Sequence, residues 1–192
     1  MRYAALNRKT KETDVSVSLN LQGGPLTIDT GIGFFDHMLH AMLFYAGFGG
    51  EITCKGDLHV DGHHSVEDVG IVLGQALKEA LGDKVGIRRF ASSYVPMDES
   101  LEFCALDVSG RPYLVMDAPM PQPMIGDYDS CLTREFMRAF AMNSGITLHL
   151  RCLYGENAHH ITEGLFKALG LSLKDAVKVE SDTVTSTKGA LA

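Results

Sequence analysis

Two short segments of the chain carry the residue types of a metal site. Residues 63–67 read HHSVE, and residues 159–163, which lie 96 positions later, read HHITE. On a helix, a histidine three or four residues before a glutamate shares a face with it, so imidazole and carboxylate converge. Nitrogen and oxygen ligands suit Mn²⁺, Fe²⁺, Co²⁺ or Zn²⁺, and the lack of a nearby thiolate argues against a closed structural zinc site. Adjacent histidines point about 100° apart, so one pair can serve two different ions.

The presence of two such segments favours a metal site, because a single segment of this kind also arises by chance at solvent-exposed helix starts. Each copy precedes apolar residues at helical spacing and follows an alternating stretch, at 57–61 and at 146–151, that we predict to be a strand. The repeat extends upstream: His37 enters a predicted helix, and Glu135 lies 98 positions later in a second helical pattern. Three other histidines fit structural roles better: His40, His59 and His149.

The duplicated pattern predicts an α+β fold of two similar fused halves, about residues 1–92 and 93–192, within one domain spanning residues 1–192. Each half is predicted to run strands, a helix, a strand and a longer helix, which gives a small sheet backed by helices on one face. Alternation predicts further strands at residues 14–21, 26–28, 101–108 and 113–116, and turn residues predict a loop at Tyr94 and residues 96–98.

The composition narrows the classes of partner. A net charge of −7 with no stretch dense in lysine and arginine argues against nucleic acid. Four scattered cysteines without a CxxC spacing, and no secretory leader, predict reduced thiols and a cytoplasmic location. No apolar run approaches the roughly 20 residues of a membrane helix, so we expect no membrane partner. The sequence has no organic-cofactor fingerprint, and we expect no such cofactor.

Basic side chains in turns offer a site for a small phosphate. Arg89 follows a glycine turn, and Arg111 lies in a tight Ser-Gly-Arg-Pro turn that would fix the angle of its guanidinium. Near the C-terminus, Ser186 and Lys188 belong to an STKG segment that supplies hydroxyls, a cation and a glycine. The alternatives are surface ion pairs for the arginines and disorder for the tail.

Together these segments resemble the imidazoleglycerol-phosphate dehydratase family. The matching stretches run in collinear order from residue 8 to residue 189. They are Arg8 with Thr10 and Glu12, TGIGFFDHML at 30–39, GDL at 56–58, DGHHSVED at 61–68, RF at 89–90, PMDE at 96–99, DVSGRP at 107–112, NAHH at 157–160 and STKG at 186–189. Matches of this length throughout the chain make the resemblance highly specific.

The resemblance implies a hydro-lyase that converts D-erythro-imidazole glycerol phosphate to imidazole acetol phosphate in L-histidine biosynthesis. It also implies two Mn²⁺ ions per active site, halves of the ribosomal S5 domain 2-like type, and trimers that assemble into a 24-subunit shell with sites between subunits. The family's metal ligands fall on His37, His63, His64, Glu67, Glu135, His159, His160 and Glu163. Its substrate contacts fall on Glu12, Arg89, Arg111, Ser186 and Lys188.

The reaction must remove a proton from a side-chain carbon that has no neighbouring carbonyl to make it acidic. Metal binding at an imidazole nitrogen would favour the imidazolate, whose electrons can expel the side-chain hydroxyl. We expect Glu12 to transfer a proton at that hydroxyl, and Glu67 or Glu163 to combine metal binding with base duty. Two positions depart from many relatives: the family has either His or Glu at Glu135, and many members carry His where this chain has Tyr45.

Two other functions share the metal ligands. A dinuclear hydrolase acting on a phosphate ester would release free phosphate rather than a ketone. A non-catalytic shell or storage protein stabilised by metal would have no reason to place Arg89, Arg111 and Lys188 near the ions.

Overall fold

The computed structural model describes residues 2–191, which form two halves of the same design. The first half contains β1 (Tyr3–Lys9), β2 (Thr13–Asn20), β3 (Leu26–Asp29), α1 (Gly33–Ala46), β4 (Gly49–Gly56) and α2 (His63–Leu81). The second half contains β5 (Phe90–Met97), β6 (Ser100–Asp107), β7 (Tyr113–Asp117), β8 (Met124–Ile125), β9 (Tyr128–Asp129), α3 (Leu132–Ser144), β10 (Thr147–Tyr154) and α4 (Ala158–Ala176).

Both halves use one sheet topology. The first sheet has the strand order β1-β2-β4-β3, and the second has the corresponding order β5-β6-β10-β7. In each sheet three strands pair antiparallel, and the strand before the first helix pairs in parallel with the strand after it. The short hairpin of β8 and β9 is an addition in the second half. The predicted α+β fold of two similar halves is therefore confirmed.

The helices of the two halves pack across each other, α1 against α4 and α2 against α3. Gly74 of α2 and Gly170 of α4, which are 96 positions apart, make this close approach possible. A Cβ on Gly74 would lie 2.7 Å from the backbone oxygen of Phe140, and one on Gly170 would lie 2.3 Å from that of Met42. Any larger side chain would push the helices apart, so these glycines fix the spacing between the halves.

The two histidine-rich helix starts are capped in the same way. The side chain of Asp61 accepts a hydrogen bond from the backbone N–H of His63 at 2.8 Å. Asn157 does the same for the N–H of His159 at 2.9 Å. These bonds satisfy amide groups that have no partner within the helix, so the chain enters both helices immediately before the candidate metal ligands.

The outer faces of the two sheets differ in chemistry. The first sheet presents polar side chains there, among them Asn7, Ser16 and Lys55. The second presents large apolar side chains, including Phe90, Tyr94, Tyr113 and Leu153, which are 52%, 61%, 62% and 47% exposed. Within residues 2–191, none of the helices combines the length and apolarity needed to cross a membrane.

Two local predictions were wrong. Residues 57–61 are a turn rather than a strand, since β4 ends at Gly56 and the alternating Leu58 and Val60 are largely exposed. Residues 94–97 belong to β5 rather than to a loop. Pro96 is tolerated there because β5 is an edge strand, where a missing backbone N–H costs no bond in the sheet.

Candidate metal centre

The first group of candidate ligands, called here the His37 cluster, consists of His37, His159 and Glu163. His37 comes from α1 and the other two from α4, the helix that packs against α1. The Oε2 atom of Glu163 lies 3.2 Å from Nε2 of His159 and 3.4 Å from Nε2 of His37. One ligand atom from each residue lies within 4.8 Å of the others, a distance that a single ion can bridge.

The second group, called here the Glu135 cluster, consists of His63, Glu67 and Glu135. Nε2 of His63 lies 3.8 Å from Oε2 of Glu67 on α2. Glu135 on α3 joins the group through Arg138, whose guanidinium lies 3.5 Å from Glu67 and 3.2 Å from Glu135. This cluster is looser than the first: in residues 2–191, only the His37 cluster brings three ligand atoms within 4.8 Å.

The two clusters are related by the duplication. His37 and Glu135 occupy corresponding turns of α1 and α3, and the α4 pair His159 and Glu163 corresponds to His63 and Glu67 on α2. Because α1 packs on α4 and α2 packs on α3, each cluster takes one ligand from one half and two ligands from the other. The close packing of helices across the halves therefore creates both sites.

His64 and His160 turn away from their neighbours in these clusters. The rings of His63 and His64 have centroids 6.2 Å apart and an interplanar angle of 87°, and those of His159 and His160 lie at 6.1 Å and 75°. Nδ1 of His64 lies 3.1 Å from both carboxylate oxygens of Asp57. Nδ1 of His160 lies 2.6 Å from Oε2 of Glu99.

These contacts change the protonation of the groups involved. The Asp57 carboxylate raises the pKa of His64, and the Glu99 carboxylate raises that of His160. His160 and backbone N–H groups lower the pKa of Glu99 to about 2. Burial opposes ionisation of Glu163, but the hydrogen bond and charge of Lys167, together with His37 and His159, outweigh burial, so the pKa of this carboxyl is lowered. Glu163 is therefore an ionised carboxylate at neutral pH, as a metal ligand must be.

Each cluster also contacts a basic side chain that was not predicted from the sequence. Nζ of Lys167 lies 2.8 Å from Oε1 of Glu163 and 5.8 Å from the ring centroid of Tyr45. Arg138 has the same relation to the carboxylates of the Glu135 cluster. Tyr45 thus packs against the cation that pairs with Glu163, which accounts for an aromatic side chain at this position.

A cavity of about 530 Å³ borders the His37 cluster. Its lining includes Phe34, Leu58, Tyr128 and His159. The ring of Phe34 meets the His159 imidazole edge-on, with centroids 5.0 Å apart. The apolar wall restricts the orientation of one ligand and leaves space beside it for a small molecule.

The predicted phosphate residues lie beside the second sheet: Arg89 immediately precedes β5, so the second half begins a few residues before the predicted boundary at 92 and 93. Arg89 makes a two-bond contact with Asp107, at 2.7 Å from Nε and 3.1 Å from an Nη atom. The other Nη atom donates to the backbone oxygen of Thr185 at 2.8 Å, immediately before Ser186. Arg111 also contacts Asp107, at 3.4 Å, and its side chain is 60% exposed. Asp107 thus brings both arginines together, and Arg89 binds the C-terminal segment.

Two buried carboxylates differ between the halves. Asp68 on α2 accepts a hydrogen bond from Thr13 and pairs with Arg8. Its counterpart on α4 is Gly164, and a Cβ there would overlap the carboxylate of Glu102. Glu102 comes instead from β6 and is fully buried; burial raises its pKa to about 7. It has a hydrogen bond from Ser100 at 3.3 Å, while its Oε1 atom has no partner in the described structure.

Sequence reasoning missed Asp57, Glu99, Lys167 and Arg138. Lys167 lies four residues after Glu163 and Arg138 three residues after Glu135, so helical spacing carried a signal for both. Asp57 and Glu99 reach their histidines from a strand end and a turn, for which spacing carries no signal. Asp98 and Glu99 were noted only as parts of a matching motif.

Comparison with known proteins identifies the family. A profile of imidazoleglycerol-phosphate dehydratase matches residues 30–173. The imidazoleglycerol-phosphate dehydratase of Methylorubrum extorquens is 54% identical over all of both chains, and that of an Exiguobacterium species is 53% identical over 98% of each.

Solved structures show the same fold. The crystal structure of imidazoleglycerol-phosphate dehydratase from Staphylococcus aureus is 36% identical, with a TM-score of 0.85 over 92% of this chain and 99% of that one. The Pyrococcus furiosus enzyme, crystallised in complex with (S)-C348, is 41% identical, with a TM-score of 0.85 over 97% of this chain and 100% of its own. With the duplicated clusters in place, these matches show that the chain belongs to the imidazoleglycerol-phosphate dehydratase family.

Proposed function

We propose that the protein dehydrates imidazole glycerol phosphate to imidazole acetol phosphate in L-histidine biosynthesis, using two Mn²⁺ ions per active site. Family membership supports the reaction. The observation that carries the metal proposal is the pair of clusters related by duplication, each built from imidazole and carboxylate groups on facing helices. We expect the enzyme to act in the cytoplasm.

The donor atoms of both clusters fit Mn²⁺. Each supplies imidazole nitrogen and carboxylate oxygen and no thiolate, a combination that suits a borderline-hard divalent ion. With three protein donors each, both clusters leave coordination positions for a further histidine and for substrate. When bound, the ions supply Lewis acidity that favours the imidazolate form of the substrate and stabilises developing negative charge.

The remaining side chains have roles in binding and proton transfer. Glu12 lies 3.9 Å from Nε2 of His64 and is 55% exposed, so its carboxylate can reach a departing hydroxyl. Arg89, Arg111 and Lys188, with Ser186, would hold the phosphate, and the two-bond contact with Asp107 fixes the angle of the Arg89 guanidinium. Holding the phosphate uses its binding energy to position the reacting carbon.

We further propose that each site is completed by a second copy of the chain, as trimers assembling into a 24-subunit shell. The rings of His64 and His160 lie 6.2 and 6.1 Å from those of His63 and His159 and nearly perpendicular to them, which supports donation of these side chains to a neighbour. The exposed aromatic face of the second sheet supports a further contact between copies.

Replacing Tyr94 and Tyr113 with Asp should break this contact and lower the sedimentation coefficient of the assembly, whereas the control Ser16→Asp on the first sheet should not.

The reaction can be tested directly. We expect the purified, metal-depleted protein to be inactive, and added Mn²⁺ with imidazole glycerol phosphate to yield the ketone. A phosphate-ester hydrolase would instead release inorganic phosphate. Metal-replete protein that forms neither product would contradict catalysis and favour a structural or storage role.

A further inference from the structure

His64 and His160 share a feature that the proposed function does not use. Each has a carboxylate within hydrogen-bond distance of Nδ1: Asp57 for His64 at 3.1 Å, and Glu99 for His160 at 2.6 Å. The carboxylates nearest to Nε2 lie beyond hydrogen-bond distance, Glu12 at 3.9 Å from His64 and Asp98 at 3.6 Å from His160. A carboxylate accepts hydrogen bonds and cannot donate one when ionised, so the facing ring nitrogen must carry the proton. In the neutral ring this leaves the lone pair on Nε2.

The carboxylates come from places in the fold that do not correspond. Glu99 lies in the turn between β5 and β6, and its counterpart in the turn between β1 and β2 is Glu12. Asp57 directly follows β4, and its counterpart after β10 is Gly155. The second half therefore has no carboxylate where the first half has Asp57, and Glu99 contacts His160 instead.

Backbone hydrogen bonds hold the carboxylate of Glu99 and the main chain at Asp57. Oε1 of Glu99 accepts hydrogen bonds from the N–H groups of Glu156 and Asn157, at 3.1 and 2.9 Å, which leaves Oε2 to face the imidazole. The N–H of Asp57 donates to the backbone oxygen of Glu12 at 3.1 Å, which ties the strand end to the turn that carries Glu12. Before any ion binds, these bonds therefore fix the carboxylate of Glu99 and the backbone from which the Asp57 side chain extends.

We propose that Asp57 and Glu99 are positioning residues that fix His64 and His160 as Nε2 ligands, and that the use of Asp57 in the first half leaves Glu12 free for proton transfer. This inference rests on the proposed function, because Nε2 is argued to serve Mn²⁺. A carboxylate on the far nitrogen of a ligating histidine sets ring orientation and tautomer, and makes the ligating nitrogen more basic.

The tautomer gives a readout that requires neither metal nor turnover. Solid-state ¹⁵N NMR of histidine-labelled, metal-depleted protein at about pH 9, well above the ordinary imidazole pKa, should show His160 protonated at Nδ1. In Glu99→Ala the proton should shift toward Nε2. The matched control is Asp98→Asn, which removes a neighbouring charge 3.6 Å from Nε2 and should leave the proton on Nδ1.

Metal affinity gives the second readout. Glu99→Ala and Asp57→Ala should each weaken Mn²⁺ binding by about 10–100-fold, as loss of an outer partner of a ligating histidine does. Glu99→Gln keeps an acceptor oxygen and should recover part of that affinity, while Asp98→Asn should bind Mn²⁺ as the wild type does.

The outcomes separate the two proposals. A wild-type protein that takes up no Mn²⁺ would overturn the proposed function. A wild type that binds Mn²⁺, with a Glu99→Ala variant of unchanged affinity and unchanged tautomer, would overturn the positioning role alone.

Discussion

The His37 cluster and the Glu135 cluster follow one plan but differ in charge. The first has one carboxylate, whereas the second has two, bridged by the guanidinium of Arg138. Glu163 also has a cation, Lys167, but that pair lies within α4. A site with more carboxylate favours a harder ion, so the duplicated sites are not interchangeable. Duplication preserved the helix positions and allowed the ligand types to diverge.

The buried carboxylates of the two halves, Asp68 and Glu102, also differ in the charged groups beside them. Asp68 lies on a helix and has a cation and a hydroxyl beside it. Glu102 lies on a strand, and within residues 2–191 its side chain forms no ion pair. Val95 occupies the β5 position that corresponds to Arg8. The second half thus keeps a buried acid without the partner that stabilises it in the first, and we expect a different dependence of stability on pH.

The largest effect should come from removing one carboxylate ligand in each cluster. We expect Glu163→Gln and Glu67→Gln each to lose about one Mn²⁺ per subunit. Turnover should fall on the order of 10³-fold, more than the loss of an outer partner costs. Metal analysis with steady-state kinetics measures both. Full metal content with normal turnover in either variant would exclude that residue as a ligand.

A smaller effect is expected at Glu102, whose pKa in the folded protein is about 7. As pH rises above the ordinary carboxyl pKa, the unfolded chain releases this proton while the folded chain retains it, so stability falls until the folded group ionises. Between about pH 5 and pH 8, the free energy of unfolding of the metal-depleted wild type should fall by about 2–3 kcal/mol more than that of Glu102→Gln. Urea unfolding at both pH values measures this difference, and parallel behaviour of the two proteins would contradict it.

The predicted phosphate site, whose basic residues all lie after the first half, tests how far the halves have specialised. Lys188→Ala should weaken substrate binding by about 1.5–3 kcal/mol, the value of a hydrogen bond to a charged group, with little change in Mn²⁺ content. Equilibrium binding of the substrate checks this. Normal binding by the variant would exclude the C-terminal segment from the site.

The smallest effect should come from Arg138, which is 59% exposed. Arg138→Gln should destabilise the metal-depleted protein by about 0.5–1 kcal/mol, because Glu67 and Glu135 lose the cation between them. Bound Mn²⁺ would replace that charge, so the deficit should shrink in metal-replete protein. Thermal unfolding of wild type and variant, with and without Mn²⁺, measures this difference. If Arg138 formed only an ordinary surface ion pair, the substitution would destabilise the metal-depleted and the metal-replete protein equally.

Sequence patterns predicted the fold well where the information was local. The two HHxxE segments and the apolar spacing after them predicted α2 and α4, because capping and helical periodicity act within a few residues. The alternation of apolar and polar residues around Leu58 and Val60 led to a wrong strand prediction, because two apolar residues in a turn give the same pattern as the end of a strand. The convergence of His37 with His159 and Glu163 depends on the packing of α1 on α4, which spacing along the chain does not encode.

The composition of the clusters also bears on the origin of the chain. Since each cluster takes ligands from both halves, a protein made of one half alone could have assembled such a site only by pairing with a second molecule. Fusion of the two copies replaced that encounter with a permanent tether and raised the effective concentration of one helix pair for the other. Once joined, the copies could change separately, because a loss in one no longer had to appear in both.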